Sequence, residues 1–72
     1  MKKYAVIIER GPRNFSAYAP DLPGCIATGK TLEETRQNMR EAIEFHLDGL
    51  RQDGEPIPEP SSLAESVEVQ AA

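Results

Sequence analysis

The sequence has one cysteine, one histidine and no tryptophan among its 72 residues. A single cysteine excludes an internal disulfide. With nothing resembling a leader peptide, the reading is of a cytoplasmic protein held together by its core. One histidine beside one cysteine leaves any zinc site dependent on carboxylates, so a packed histidine with a hydrogen-bonded ring is the simpler account of His46. Basic residues are scarce too: 8 lysines and arginines against 12 acids give a net charge of -4. They are scattered from Lys2 to Arg51, whereas a nucleic-acid surface gathers its charges to neutralise phosphates. No hydrophobic run is long enough to span a membrane; the apolar stretch Tyr4 to Ile8 stops at Glu9. There is no internal repeat and no phosphate-cradling glycine loop. Gly29-Lys30-Thr31 matches only the last three residues of that motif, although a helix start there has some capacity to hold an anion.

What the chain does contain is one long periodic segment. Thr31 and Glu34 have the spacing of a capping box, in which the hydroxyl accepts an amide of the first turn and the carboxylate returns to the amide of the cap. Leu32, Thr35, Met39, Ala42, Ile43, Leu47 and Leu50 then fall on a stripe of roughly 140°. Gly54 offers a left-handed stop, and Pro56, Pro58 and Pro60 forbid continuation. The spacing predicts an amphipathic helix over about 32–53, near 30 Å long. Such a stripe requires a partner layer, and the residues before it supply one.

Strands are expected over about 3–9, 15–19 and 25–29. In the first, Tyr4, Val6 and Ile8 share one face and Ala5, Ile7 and Glu9 the other. In the second, Phe15, Ala17 and Ala19 point inward, with Ser16 and Tyr18 outward. Gly11 to Asn14 reads as the hairpin turn, and Pro23-Gly24 suits the centre of a type II turn. The small Ala27 and Gly29 let something pack closely over the third strand. After the helix, 55–60 reads as an extended proline strap, and Val67-Glu68-Val69 as a short strand at about 66–70. The whole is a small two-layer α+β domain of order β-β-β-α-β.

Reactive groups do not converge. Glu9 and Asp21 are the only carboxylates in the expected sheet and its loops, while metal-assisted hydrolysis gathers several around ions about 4 Å apart. Cys25 has only His46 as a conceivable base, and nothing in the spacing joins them. The reading is therefore of a non-enzyme without catalytic residues, metal or cofactor. The candidate contact residues are Tyr18, outward on its strand, and Phe45, off the apolar stripe and either a partner contact or packed beneath the strap. Plain exposure is the third reading of Phe45. To these two residues are added the outward acids Glu33, Glu44 and Asp48, with Val67 and Val69 at a possible sheet edge. A chain this short buries only about 60% of its extended surface, which favours a homodimer or homotetramer.

The run Tyr4-x-Val6-x-Ile8-Glu9, Phe15-x-Ala17, Pro20-Asp21-Leu22-Pro23-Gly24-Cys25 and Gly29-Lys30-Thr31-x-Glu33-Glu34 resembles the HicB-like antitoxin family. Asn38-x-x-Glu41-Ala42-Ile43 and Gly54-x-Pro56-Ile57-Pro58-x-Pro60 match as well, so the resemblance covers about residues 4 to 69. It implies a partly degraded RNase H-like domain without nuclease activity. It also implies that the domain neutralises a small basic mRNA-cleaving ribonuclease toxin by covering its active surface. Many members carry a further C-terminal DNA-binding domain. This sequence departs from them by ending at Ala72, so no direct DNA binding is expected. The alternative is a solitary homo-oligomeric structural or small-ligand-binding domain without a toxin partner.

Overall fold

In the computed structural model, which describes residues 1–71, three strands precede one helix: β1 (Ile7–Arg10), β2 (Phe15–Tyr18), β3 (Ile26–Gly29) and α1 (Leu32–Gln52). The strands form an antiparallel meander in the order β1-β2-β3. β1 begins at Ile7, later than the apolar run starts. Its ladder ends at the pair Ile7–Tyr18, because Pro20 turns the chain away and has no amide to offer. Tyr4 and Val6 continue alongside, half-buried against the core.

Register sorts the side chains. Ile8, Ala17 and Ala27 lie opposite one another and face the helix, whereas Ile7, Tyr18 and Ile26 form a row on the other side. Arg10 sits opposite Phe15, its guanidinium 5.4 Å from the ring centroid, and closes the hairpin with a cation–π contact. The core is Ala17, Ala19, Leu22, Cys25 and Met39, with Thr35 buried among them. Leu22 comes from the Pro20–Gly24 excursion. The turns there are closed by Leu22 N–H to Ala19 O at 3.0 Å and Cys25 N–H to Leu22 O at 3.1 Å. Gly24 takes φ +83°, the positive angle that a type II turn demands.

The helix starts and stops as its end residues dictate. Thr31 Oγ1 accepts the Glu34 amide at 3.0 Å. The Glu34 carboxylate reaches one residue further back than a capping box requires and accepts from Lys30 N–H at 2.6 Å. At the other end Gly54 has φ +71°, and Glu55 N–H returns to Leu50 O at 2.9 Å, the six-to-one bond of a Schellman stop. Leu32, at the first helical position, stays exposed; the rest of the apolar stripe packs. The approach is closest at Gly29, where an added Cβ would stand 2.5 Å from Thr35 Oγ1 and 2.7 Å from Thr35 N. α1 lies over β3 and β2 and barely touches β1.

Beyond Gly54 the described residues carry no regular secondary structure. The proline strap crosses the end of the sheet, tied by Tyr4 O–H donating to Pro58 O at 2.5 Å and by a Lys2–Glu59 ion pair. Asp21 then accepts from the amides of Ser61 and Ser62 at 2.8 and 2.9 Å and from both hydroxyls. The strand expected at about 66–70 is not formed. Val67 and Val69 are exposed, because the Asp21 clamp fixes the chain at the sheet's end, from which it runs on without turning back to the open edge of β1. The radius of gyration is accordingly 14.0 Å, against about 11 Å for a compact chain of this length.

Candidate functional site

The expected contact residues on the sheet and the helix separate into two groups. Tyr18 is 41% exposed and stands between Ile7 and Ile26 on the uncovered side of the sheet. Phe45 is 82% exposed, so the strap does not cover it. It projects from the flank of α1 nearest β3 and shares a groove of about 450 Å³ with Ile26. Ile26 is itself 68% exposed and links the two aromatics. Ile7, Tyr18, Ile26 and Phe45 thus follow one another from the outer sheet face round the β3 edge to the helix. Ile26 was read from the sequence only as part of a strand. A β-branched residue opposite an outward tyrosine was the signal available for it.

This surface is positioned by the backbone rather than by side-chain clamps. The meander register sets the row, and the Gly29–Thr35 approach draws α1 down on β3. Asn38 then donates from its side-chain amide to the Thr28 carbonyl at 2.9 Å. That bond locks the helix against the β3 edge and satisfies an acceptor that would otherwise invite another strand.

The helical acids lie elsewhere. Glu44 and Asp48 border a hollow with Leu47 and Arg51 on the flank nearer β1. Asp48 is paired with Arg51 at 2.7 Å, and Glu33 with Arg36 at 3.3 Å. Exposed pairs of this kind add little stability, but they fix where the charge sits. Val67 and Val69 stand apart from both groups on the extended segment.

Chemistry is not assembled. Cys25 and His46 line the same groove as Phe45, yet among the described residues no hydrogen bond joins them, and burial pushes the Cys25 thiol up, away from the nucleophilic thiolate. Asp21 is held down to about 2, chiefly by the Ser62 amide, then by the Ser61 amide and the Ser62 hydroxyl. Its carboxylate is committed to holding the chain. At the helix start, Thr31 takes the Glu34 amide and Glu34 the Lys30 amide, and the Glu33 and Glu34 carboxylates of the first turn disfavour an anion there. Among the described residues no three of His, Cys, Asp and Glu come together as metal ligands, and no helix is long and apolar enough to cross a membrane. The arrangement is suited to contact with another macromolecule.

A family model and a solved structure point to one family. A family model described as the HicB_like antitoxin of bacterial toxin-antitoxin system matches residues 4–71. A protein of the rep-hol intergenic region of Haemophilus phage HP1 is 34% identical over 89% of this chain, which spans 48%, about half, of that protein's length. A UPF0150 protein of Thermoplasma acidophilum is 37% identical over 96% of this chain and 99% of its own. A UPF0150 protein of Synechocystis sp. is 31% identical over 92% of this chain and 85% of its own. Among solved structures, a chain of a HicA3 and HicB3 toxin-antitoxin complex superposes with a TM-score of 0.71 at 32% identity, covering 82% of this chain and 69% of that one.

Proposed function

Because the chain belongs to the HicB-like antitoxin family of bacterial toxin-antitoxin systems, we propose that it neutralises a small basic ribonuclease of the HicA type by covering its active surface, without catalysis of its own. The observation that carries this reading is the continuous apolar surface Ile7, Tyr18, Ile26 and Phe45 on a chain of net charge -4. Aromatic and aliphatic side chains left in water at the centre of a polar surface are the composition of a protein-binding patch. Phe45, the most exposed aromatic of the chain, is its anchor.

The acids act at longer range. Glu33 and Glu44 lie on the helix away from that patch, and Asp48 one turn along from Phe45. Their field draws a basic partner in and disfavours acidic ones. They therefore govern the association rate, while Phe45 and Ile26 govern the lifetime of the complex. The place of action is the cytoplasm, where messenger RNA is cleaved.

The test is an RNA-cleavage assay with a basic ribonuclease of the HicA type, with and without the chain, together with direct binding measurements. Cleavage should stop at stoichiometric addition. Phe45→Ala should weaken binding tenfold or more, the ordinary cost of removing an aromatic anchor, about 1.4 kcal/mol or above. Reversing Glu44 and Asp48 to lysine should slow association and flatten its salt dependence. Unimpeded cleavage at saturating chain, or Phe45→Ala binding like the wild type, refutes the proposal.

A further inference from the structure

We infer that the extended segment Leu63–Ala71 of one copy lies in the trough beside β1 of a second copy, each molecule lending its segment to the other. The two edges of the sheet differ in what they leave open. At β3 the Asn38 amide already donates to the Thr28 carbonyl. At β1, among the described residues, no strand pairs on the side away from β2, and α1 does not lie over it. A trough of about 540 Å³ results between β1 and α1. Val6, Ile8 and Ile43 form its floor, and Lys3 and Arg40 stand on its rim beside Lys2, whose ammonium is already paired with Glu59. An unpaired edge asks for another strand, the floor for apolar side chains at alternate positions, and the rim for acids.

One segment has all three. Leu63, Val67 and Val69 share one parity and are 83%, 78% and 80% exposed. Glu68 supplies charge from the opposite face and Glu65, which shares the parity of the apolar residues, does so only at the mouth of the trough; no lysine or arginine follows Arg51. The same rim repels a basic toxin, so this trough is a different surface from the one proposed above, and the inference does not rest on that proposal.

The donor is a second copy because of the path of the strap. It passes Tyr4 and Lys2 at the mouth of the trough before reaching Asp21. To enter the trough of its own molecule the chain would have to double back after Ser62. No glycine or proline follows Pro60 to make that reversal. The chain instead runs on, and the molecule extends 51 Å along its longest axis. Residues 63–71 in extended form reach about 30 Å, enough to run the length of β1 in a neighbour. A two-fold axis makes the two exchanges equivalent.

The experiment is sedimentation velocity with light scattering on the full chain across a wide concentration range. Two double variants accompany it, Val67→Asp with Val69→Asp, and Lys3→Glu with Arg40→Glu. All four positions are exposed, so the fold should survive, as circular dichroism would verify. The wild type should be a dimer, and each double variant should raise the dimer Kd about a hundredfold or more. Mixing the two variants should recover a one-armed heterodimer, since one keeps an intact trough and the other an intact segment. A wild type that stays monomeric throughout, a dimer that both double variants leave unchanged, or mixing without recovery overturns the inference.

Discussion

Replacing Gly29 with alanine tests the contact on which the helix-to-sheet packing turns. The new methyl would stand 2.5 Å from Thr35 Oγ1, 2.7 Å from Thr35 N and 3.0 Å from Thr35 Cα, all inside the 3.4 Å at which ordinary contact begins. A rotated hydroxyl relieves only the first of these. The other two are backbone, so the start of α1 must lift from β3 by several tenths of an ångström. Overpacking of that kind costs about 1–3 kcal/mol. Against it stands a gain of about 0.4–1 kcal/mol, because alanine restricts the unfolded chain. The balance is a loss of about 1–2 kcal/mol, or a Tm lower by about 5–15 °C for a domain of this size. Gly49→Ala is the control, since nothing lies within 4 Å of its added Cβ. It should stabilise by about 0.5–1 kcal/mol, as alanine ordinarily does inside a helix. Urea melts of the three proteins give both signs in one experiment. A Gly29→Ala variant as stable as the wild type would show that the close approach does not hold the layers together.

Asn38→Ala should cost about 0.5–1.5 kcal/mol through the lost bond to Thr28 O and should raise aggregation by reopening the β3 edge, as light scattering during a melt would show. Thr31→Ala should remove about 1 kcal/mol with the helix cap, measured as a fall in Tm. Asp21, lowered from 3.8 to about 2 by its serine partners, steadies the strap fully above the unfolded value and ceases to do so as pH falls through about 2. The amide resonances of Ser61 and Ser62 should therefore titrate with a midpoint near 2. A midpoint at the ordinary carboxylate value would refute the clamp. Asp21→Asn should loosen the same two amides at neutral pH, read as faster hydrogen exchange.

Local chemistry made much of the fold legible in advance. Thr31, Glu34 and Gly54 mark the helix ends because capping depends on a few adjacent atoms, and Pro23-Gly24 marks its turn for the same reason. Gly29 stood out as a place where something packs closely. Properties set by tertiary position were harder to read. Leu22 is fully buried, yet it lies alone between two prolines, where no period points to a core. Asp21 looked like a stray acid, since its partners are 40 and 41 residues away. Of the contact surface, Tyr18 and Phe45 could be picked from face and wheel. Ile26 carried only one weak signal, its place opposite an outward tyrosine, because its exposure follows from β3 being an edge strand. The Val67–Val69 alternation is a strand's pattern, but a pattern does not supply the neighbouring chain against which a strand forms.

The ordering of ties along the chain has a kinetic consequence. Each strand pairs with the next, and the helix lies mainly over the strand just before it, so the loops that must close are short and assembly of this part is fast. Among the hydrogen bonds and ion pairs of the described residues, the Tyr4–Pro58, Lys2–Glu59 and Asp21–serine links join the most distant parts, at separations of 54, 57 and 40 or more residues. These are the last to be made during folding and the first to open on mild perturbation. A nascent chain therefore has its globular part complete before its final segment is in place, and that segment meets the solvent as a late and reversible addition.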